Sequence, residues 1–255
     1  MLNLIFCEFA KIKRQKFILF SVLAACLFPI PMTILAGKDR MDFTGLFNLA
    51  VFFGNFLLLP CVLSIVTSIL FFMERDHETL KNLLSIPVNR TGLAFAKLYV
   101  ILVISLLYSV AGLGATMIGG LIIGGIRWEQ IPGKLGLSVV MGLLAFLTAL
   151  PVLITIIRLN KSMIFSILLA AVYTFINFSI AYMMVTFPPD AILLSVLPAP
   201  IVMRWWAGFG VERTPENYEM IRPYLISGTA CMRYFLLLAA ICIPFIVWAY
   251  RKQED

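Results

Sequence analysis

The chain has 255 residues, of which 62% are hydrophobic and only 13% charged, with a net charge of +7 and a mean hydropathy of +1.00. A soluble domain carries about a quarter charged residues because its surface faces water, so a water-soluble globule is excluded. Its long apolar runs reach the roughly 20 residues that span a bilayer as helix and lack the alternation of barrel strands, which predicts an all-α integral membrane protein.

The whole chain, 1–255, reads as one transmembrane domain with six membrane-spanning helices. Residues 1–16 predict an amphipathic helix in the membrane surface. Leu2, Ile5, Phe6, Phe9 and Ile12 share one side, while Glu8, Lys11, Arg14 and Gln15 point the other way; Leu4 and Lys13 break the pattern. The first long apolar run starts at Phe17 and leads into Phe28-Pro29-Ile30-Pro31 instead of a small-residue cleavage site. A retained first span, near 17–36, is expected in place of a cleaved signal peptide.

Span two is expected over 46–72, with Pro60 as the place for a kink. A polar segment, 74–97, follows. Span three is expected over 98–125, span four over 135–157 and span five over 162–187. The outer segment, 188–228, contains an apolar stretch, 191–203, interrupted by Pro198 and Pro200 and followed by Arg204, Trp205 and Trp206. That stretch is too short to cross, so a re-entrant or interfacial element is expected instead of a seventh span, with the tryptophans at headgroup level. Span six is expected over 229–250.

Lys and Arg set the orientation. With the N-terminus inside, the inner segments hold Lys11, Lys13, Arg14, Lys16, Arg75, Lys81, Arg90, Lys97, Arg158, Lys161, Arg251 and Lys252. The two short outer loops hold only Lys38, Arg40, Arg127 and Lys134. This bias predicts a plasma-membrane protein with both termini cytoplasmic, and it accounts for the positive charge without a nucleic-acid partner. The five cysteines (Cys7, Cys26, Cys61, Cys231, Cys242) form no Cys-x-x-Cys pair. They read as small apolar residues, with neither a disulfide framework nor a metal site expected.

The stretch from Glu74 to Arg90 carries the most information. Thr79, Leu80, Leu83 and Leu84 make a short helical face, with acids before it and basic residues towards its end. That charge order complements the helix dipole, and Pro87 ends the helix. Exposed leucines ringed by charges suit a docking surface; a loop helix resting on the membrane is the competing reading.

The pattern Glu74-x4-Thr79-Leu80-Lys81-x-Leu83-Leu84-x2-Pro87-x2-Arg90 resembles the cytoplasmic loop of permease subunits in the ABC-2 group of ATP-binding-cassette exporters. It is most similar to the branch that exports bacitracin or confers immunity to lantibiotic peptides. The likeness extends to the amphipathic N-terminus, the six spans and the proline-rich outer element. Glu78 stands where that family often has Gly. The resemblance implies that this helix is a coupling helix seated in a separate cytosolic ATP-binding subunit, which would hold ATP and Mg. It also implies a second permease copy as partner and an amphipathic peptide substrate drawn from membrane lipid or the cytosol. No G-x-x-x-x-G-K-[ST] phosphate loop occurs in the sequence, so this chain does not supply the ATPase.

Two other classes fit the sequence less well. An ion-driven carrier calls for ionisable residues inside its spans, and the predicted interiors of spans one to five contain none. A lipid pyrophosphate phosphatase needs clustered acids and phosphate ligands or a histidine nucleophile. The single histidine, His77, falls in the docking loop, and the outer cluster of Glu212, Arg213, Glu216, Glu219 and Arg222 reads as a solvated face. No catalytic residue and no cofactor site is expected in this chain. Asn55 and Asn177 are candidates for a substrate path, against the alternative that each bonds to a helix. Gly120-x-x-x-Gly124 predicts close helix packing, within one chain or between two.

Overall fold

The computed structural model describes residues 2–13, 23, 27–76, 90–123, 126, 128–159, 163–210 and 215–252. All regular structure among them is helical. Helix α1 is Leu2–Lys13 and α2 is Pro29–Lys38, which starts on a proline whose missing N–H has no helical partner to lose. A tight turn follows, with Arg40 at φ 51°. Helix α3, Phe43–Ala50, then begins under a cap in which the Asp42 carboxylate accepts from the Gly45 N–H at 2.8 Å.

Helix α3 runs without a break through a π-helical segment, Val51–Leu58, into α4, Leu59–Asp76. The wide turn has a local cause. Pro60 has no N–H to donate, and immediately before it the Leu59 N–H reaches back to the Gly54 carbonyl, so the ladder is offset instead of broken. Helices α5 (Arg90–Ile123) and α6 (Ile131–Leu159) are the longest, and α7 is Met163–Tyr182. The outer segment contains α8 (Ile192–Val196), α9 (Pro198–Gly210) and α10 (Pro215–Ile221); α11 (Gly228–Lys252) closes the described chain.

Five helical stretches among the described residues are long and apolar enough to cross a membrane: Phe43–Phe71, Arg90–Ile123, Trp128–Arg158, Ile164–Tyr182 and Tyr218–Arg251. They correspond to expected spans two to six. The expected first span, 17–36, is described only at 23 and 27–36, where α2 covers its second half, and it is not among the five. Two boundaries differ from expectation. Helix α5 starts at Arg90 and not near 98, because Gly92, Leu93, Ala94 and Ala96 are buried against neighbouring helices and extend the packed surface. Helix α7 ends at Tyr182, and a 3₁₀ turn, Met184–Thr186, leads away from it.

Helix α6 lies at the centre. One apolar core joins it to α4, α5 and α11 around Leu63, Ile101, Leu150, Leu153 and Ile246. A second joins α3, the π segment and α6 to α9 around Phe47, Phe56, Met141 and Trp206. Ile122, Ile164, Leu168, Phe175 and Ile241 point outwards, as lipid-facing side chains do. Gly142 lets α6 approach α5 closely: a Cβ there would lie 3.1 Å from the Ser105 carbonyl oxygen and 3.3 Å from the Leu106 Cα. Gly120 packs within the chain, facing Phe43 of α3; Gly124 lies outside the described residues.

Several polar side chains within the spans are bonded locally. Ser64, Thr67, Ser68 and Thr148 each donate to the carbonyl four residues earlier, which satisfies them without another helix. Ser105 and Ser109 instead donate from α5 to the Gly142 and Ser138 carbonyls of α6, both at 2.7 Å.

Candidate functional site

The expected docking stretch falls between two described helices. Helix α4 ends at Asp76 and α5 starts at Arg90. Thr79, Leu80, Leu83 and Leu84 lie in 77–89, outside the described residues, as does His77. Glu74 is in the last turn of α4, its side chain outside the described set. Arg90 is the first residue of α5 and is half-buried. The two helices that deliver and receive this loop are thus defined, and they pack on each other and on α6.

The N-terminal helix is docked beside them. Leu4 and Phe9 pack on the core of α4, α5, α6 and α11. Glu8, expected on the water-facing side, turns inward and is fully buried. Its Oε2 lies 3.3 Å from Lys97 Nζ and its Oε1 lies 2.5 Å from Lys11 Nζ. Lys97, expected in the polar segment, is a fully buried helical residue. Phe6, expected on the apolar side with Phe9, is 70% exposed. The inward face of α1 therefore includes Leu4 and Glu8, one turn apart, and Leu4 is one of the two residues that break the amphipathic pattern.

Pairing decides the difference. A buried ammonium and a buried carboxylate are each costly alone, and breaking such a pair from one side costs about 3–5 kcal/mol. Together they are tolerated, and Lys97 Nζ gains a further bond to the Leu70 carbonyl at 3.0 Å. The signal was present in the sequence: Lys97 shares a helical face with Leu93, Ala94, Val100, Ile101 and Ile104, all buried.

Of the two asparagines, Asn55 lies in the π segment and donates through Nδ2 to Ser109 Oγ at 3.1 Å. It lines two small cavities. One, with about 20 Å³ of water-accessible space, also has Tyr108, Ser109, Thr116 and Ser138 in its wall; that is room for about one water among several polar groups. The other, about 10 Å³, lies between Pro60, Met141, Thr148 and Val202. Asn177 is buried on α7, where its Nδ2 donates to the Tyr173 carbonyl at 3.1 Å and its Oδ1 has no hydrogen-bond partner. It lines neither of these two cavities, and no hydrogen bond joins it to Asn55.

The stretch from α8 to α10, expected to be the outer segment, is fastened to the bundle by side chains the sequence does not advertise. Arg204 donates through Nε to the Tyr224 carbonyl at 2.8 Å and through a terminal nitrogen to the Leu194 carbonyl at 3.4 Å. The Tyr224 hydroxyl donates to the Phe187 carbonyl at 2.7 Å, and the Tyr234 hydroxyl to the Val196 carbonyl at 2.6 Å. Asn48 of α3 donates to the Gly210 carbonyl at 2.7 Å, and the Phe56 and Trp206 rings meet at 6.2 Å. Two points of the rod that carries Asn55 therefore hold α9.

Among the described residues no three His, Cys, Asp or Glu side chains are grouped closely enough to hold a metal ion. The arrangement instead brings a paired N-terminal helix, two loop-bearing helices and a docked outer segment onto one bundle. Residues 4–177, more than half of the chain, match the family model described as ABC-2 family transporter protein. The chain belongs to the ABC-2 family. A search of curated proteins found no match.

Members of the ABC-2 family are membrane components of transporters, so this chain is a transport component and not a catalytic subunit. Such components typically pair with a separate ATP-binding-cassette subunit. The family match begins at Leu4 within α1 and includes α4, α5 and hence the whole Glu74–Arg90 stretch. It ends at Asn177, so the outer segment and α11 lie beyond it.

Proposed function

We propose that this ABC-2 chain is the permease subunit of an exporter, driven by a separate cytosolic ATPase that docks on residues 74–90. The observation that carries this reading is the family match over that stretch together with the motif Thr79-Leu80-Lys81-x-Leu83-Leu84 within it. The absence of a phosphate loop from the sequence agrees with it. Leu80, Leu83 and Leu84 would be the apolar anchor, with Glu74 and Arg90 at its rim.

Two copies would form the membrane core. The Lys and Arg bias supports cytoplasmic termini, which places the 74–90 loop on the side where ATP is available. Helices α8 and α9 would dip into the outer leaflet as a re-entrant element, since α9 is too short to span and its face packs on Phe56, well inside a long apolar helix. The substrate class comes from the resemblance: an amphipathic peptide antibiotic such as bacitracin or a lantibiotic, removed from bilayer or cytosol for resistance or self-immunity. Asn55, beside two cavities, is the position favoured for a substrate path.

The test is to express the chain with the ATP-binding protein encoded beside it, extract both in mild detergent, and assay hydrolysis with and without bacitracin or a lantibiotic. A stable complex with peptide-responsive hydrolysis supports the reading and its substrate class. A complex that ignores these peptides retains the exporter and removes the substrate. If no ATPase associates, the docking role of residues 74–90 falls and an ion-driven carrier becomes the reading to pursue.

A further inference from the structure

Lys134 stands at the edge of the apolar bundle and is turned into it. After Lys134 the next charged residue of α6 is Arg158, and after Asp42 the next along α3, the π segment and α4 is Glu74. Both therefore mark a membrane boundary, and it is the same one, because Thr44 of α3 donates to Gln130 just ahead of α6 at 3.2 Å. Trp128, 66% exposed, lies at that end too, as tryptophans of the headgroup layer do. A lysine in such a place ordinarily extends its ammonium outwards to water. Lys134 does not. It is 8% exposed, and its Nζ lies 5.0 Å from the centre of the Phe43 ring and 4.7 Å from that of Phe47, both buried.

Those ring contacts leave the donors of the ammonium unused. Each ring face contributes about 0.5–2 kcal/mol, but an ammonium has three N–H donors, and among the described residues Lys134 makes no hydrogen bond or ion pair. Asp42 acts on it electrostatically, yet the Asp42 carboxylate is engaged in capping the Gly45 N–H at 2.8 Å. The start of α6 adds a second penalty, since the aligned backbone dipoles repel a cation at that end of a helix. An anion placed at the ammonium answers both. It accepts from the unused N–H groups and is drawn by the same helix end. Gln130, four residues earlier, turns its amide oxygen to Thr44, which leaves its amide nitrogen as a further donor on that face. Phosphate suits this arrangement, because its several oxygens can accept from more than one N–H and lipid headgroups present it at this depth.

We propose that Lys134, held between Phe43 and Phe47, is a binding site for a phosphate group at the membrane surface, supplied by a phospholipid headgroup or by free phosphate. The bound group joins the start of α6 to the start of α3, whose two phenylalanines set the position of the ammonium. This rests on contacts within the chain and is independent of what drives the permease.

The test is thermal unfolding of the full-length protein in dodecyl maltoside and phosphate-free buffer. Three probes are titrated: dioleoyl phosphatidylglycerol, its phosphate-free counterpart dioleoylglycerol, and sodium phosphate. Phosphatidylglycerol is expected to raise the midpoint of the wild type saturably, and dioleoylglycerol to leave it unchanged. Lys134→Met is expected to need at least about tenfold more phosphatidylglycerol for half the shift, as for the loss of one charge-assisted bond. Lys38→Met, which removes an exposed lysine at the same end, should respond as the wild type does. Should Lys134→Met fail to accumulate, Lys134→Gln keeps an N–H donor without the charge and should show the same loss. A Lys134-dependent shift with phosphatidylglycerol but not sodium phosphate assigns the site to a headgroup, and one with sodium phosphate assigns it to the free anion; either supports the proposal. An equal response in the wild type and the Lys134 variants would make Lys134 a lysine packed on two rings and nothing more. An equal loss in Lys38→Met would show general charge attraction, and an equal shift with dioleoylglycerol would show an effect of acyl chains. Any of these three, or no shift with either phosphate, overturns the proposal.

Discussion

Asn55 and Ser109 are joined across the bundle: Asn55 donates to the Ser109 hydroxyl at 3.1 Å while that hydroxyl donates to the Ser138 carbonyl at 2.7 Å. One serine therefore links the π segment, α5 and α6. Ser109→Ala should leave the Asn55 amide without this acceptor and cost about 1 kcal/mol, read as a lower thermal midpoint in detergent. Asn55→Leu is expected to reduce transport at normal expression, and unchanged transport would remove Asn55 from the path.

Asn177 should behave differently. Its Oδ1 is buried without a hydrogen-bond partner and its Nδ2 bonds only within its own helix. Asn177→Leu removes a half-satisfied amide, so stability should hold or rise by up to about 1 kcal/mol. A stable variant that no longer transports would place Asn177 on the substrate path.

The approach of α5 to α6 depends on Gly142. A side chain there meets backbone of α5, at the Ser105 carbonyl and the Leu106 Cα, which cannot turn aside. Gly142→Val should cost about 1–3 kcal/mol. Gly133, on the same helix with nothing within 4 Å of its added Cβ, supplies the control, and Gly133→Ala should unfold at the wild-type temperature.

The docking loop has its own test. Leu83→Asp with Leu84→Asp should abolish association with the ATPase while leaving membrane insertion and thermal stability of the free permease intact, measured by co-purification and by membrane fractionation. An intact complex would remove these leucines from the interface.

The outer segment should loosen without unfolding the bundle. Tyr224→Phe removes the bonds from its hydroxyl to the Phe187 and Val185 carbonyls. The expected result is about 1 kcal/mol of lost stability with faster proteolysis confined to 187–227.

Much of the fold was legible because lipid imposes one simple rule. A run of about 20 apolar residues must be helical to pair its own backbone, and so the helices around Leu63, Ile101, Leu150, Phe175 and Ile246 could be read from hydropathy alone. A departure from regular α-helix near Pro60 was legible for a local reason, a missing N–H. The form it took, a π turn running from Val51 to Leu58, was not. The loop motif lies outside the described residues, and a charged residue buried beside its flanking helices was misplaced. Lys97 looked like part of a polar segment because hydropathy scores a lysine by its charge, whatever its partner.

By itself the sequence determined that the chain is an all-helical, multi-pass membrane protein, where the five long apolar stretches lie, and that its family is one of transport. The helices follow from composition and local periodicity, which act within a turn or two of helix, and the family from the resemblance carried by the Glu74–Arg90 motif. Tertiary structure alone decided that Glu8 turns inward to Lys97, that Phe6 turns outward, that Asn55 finds Ser109 and that Arg204 and Tyr224 fasten the outer segment. The physical reason is that a polar group in an apolar interior is governed by its partner. For Glu8 that partner lies 89 positions away in the chain.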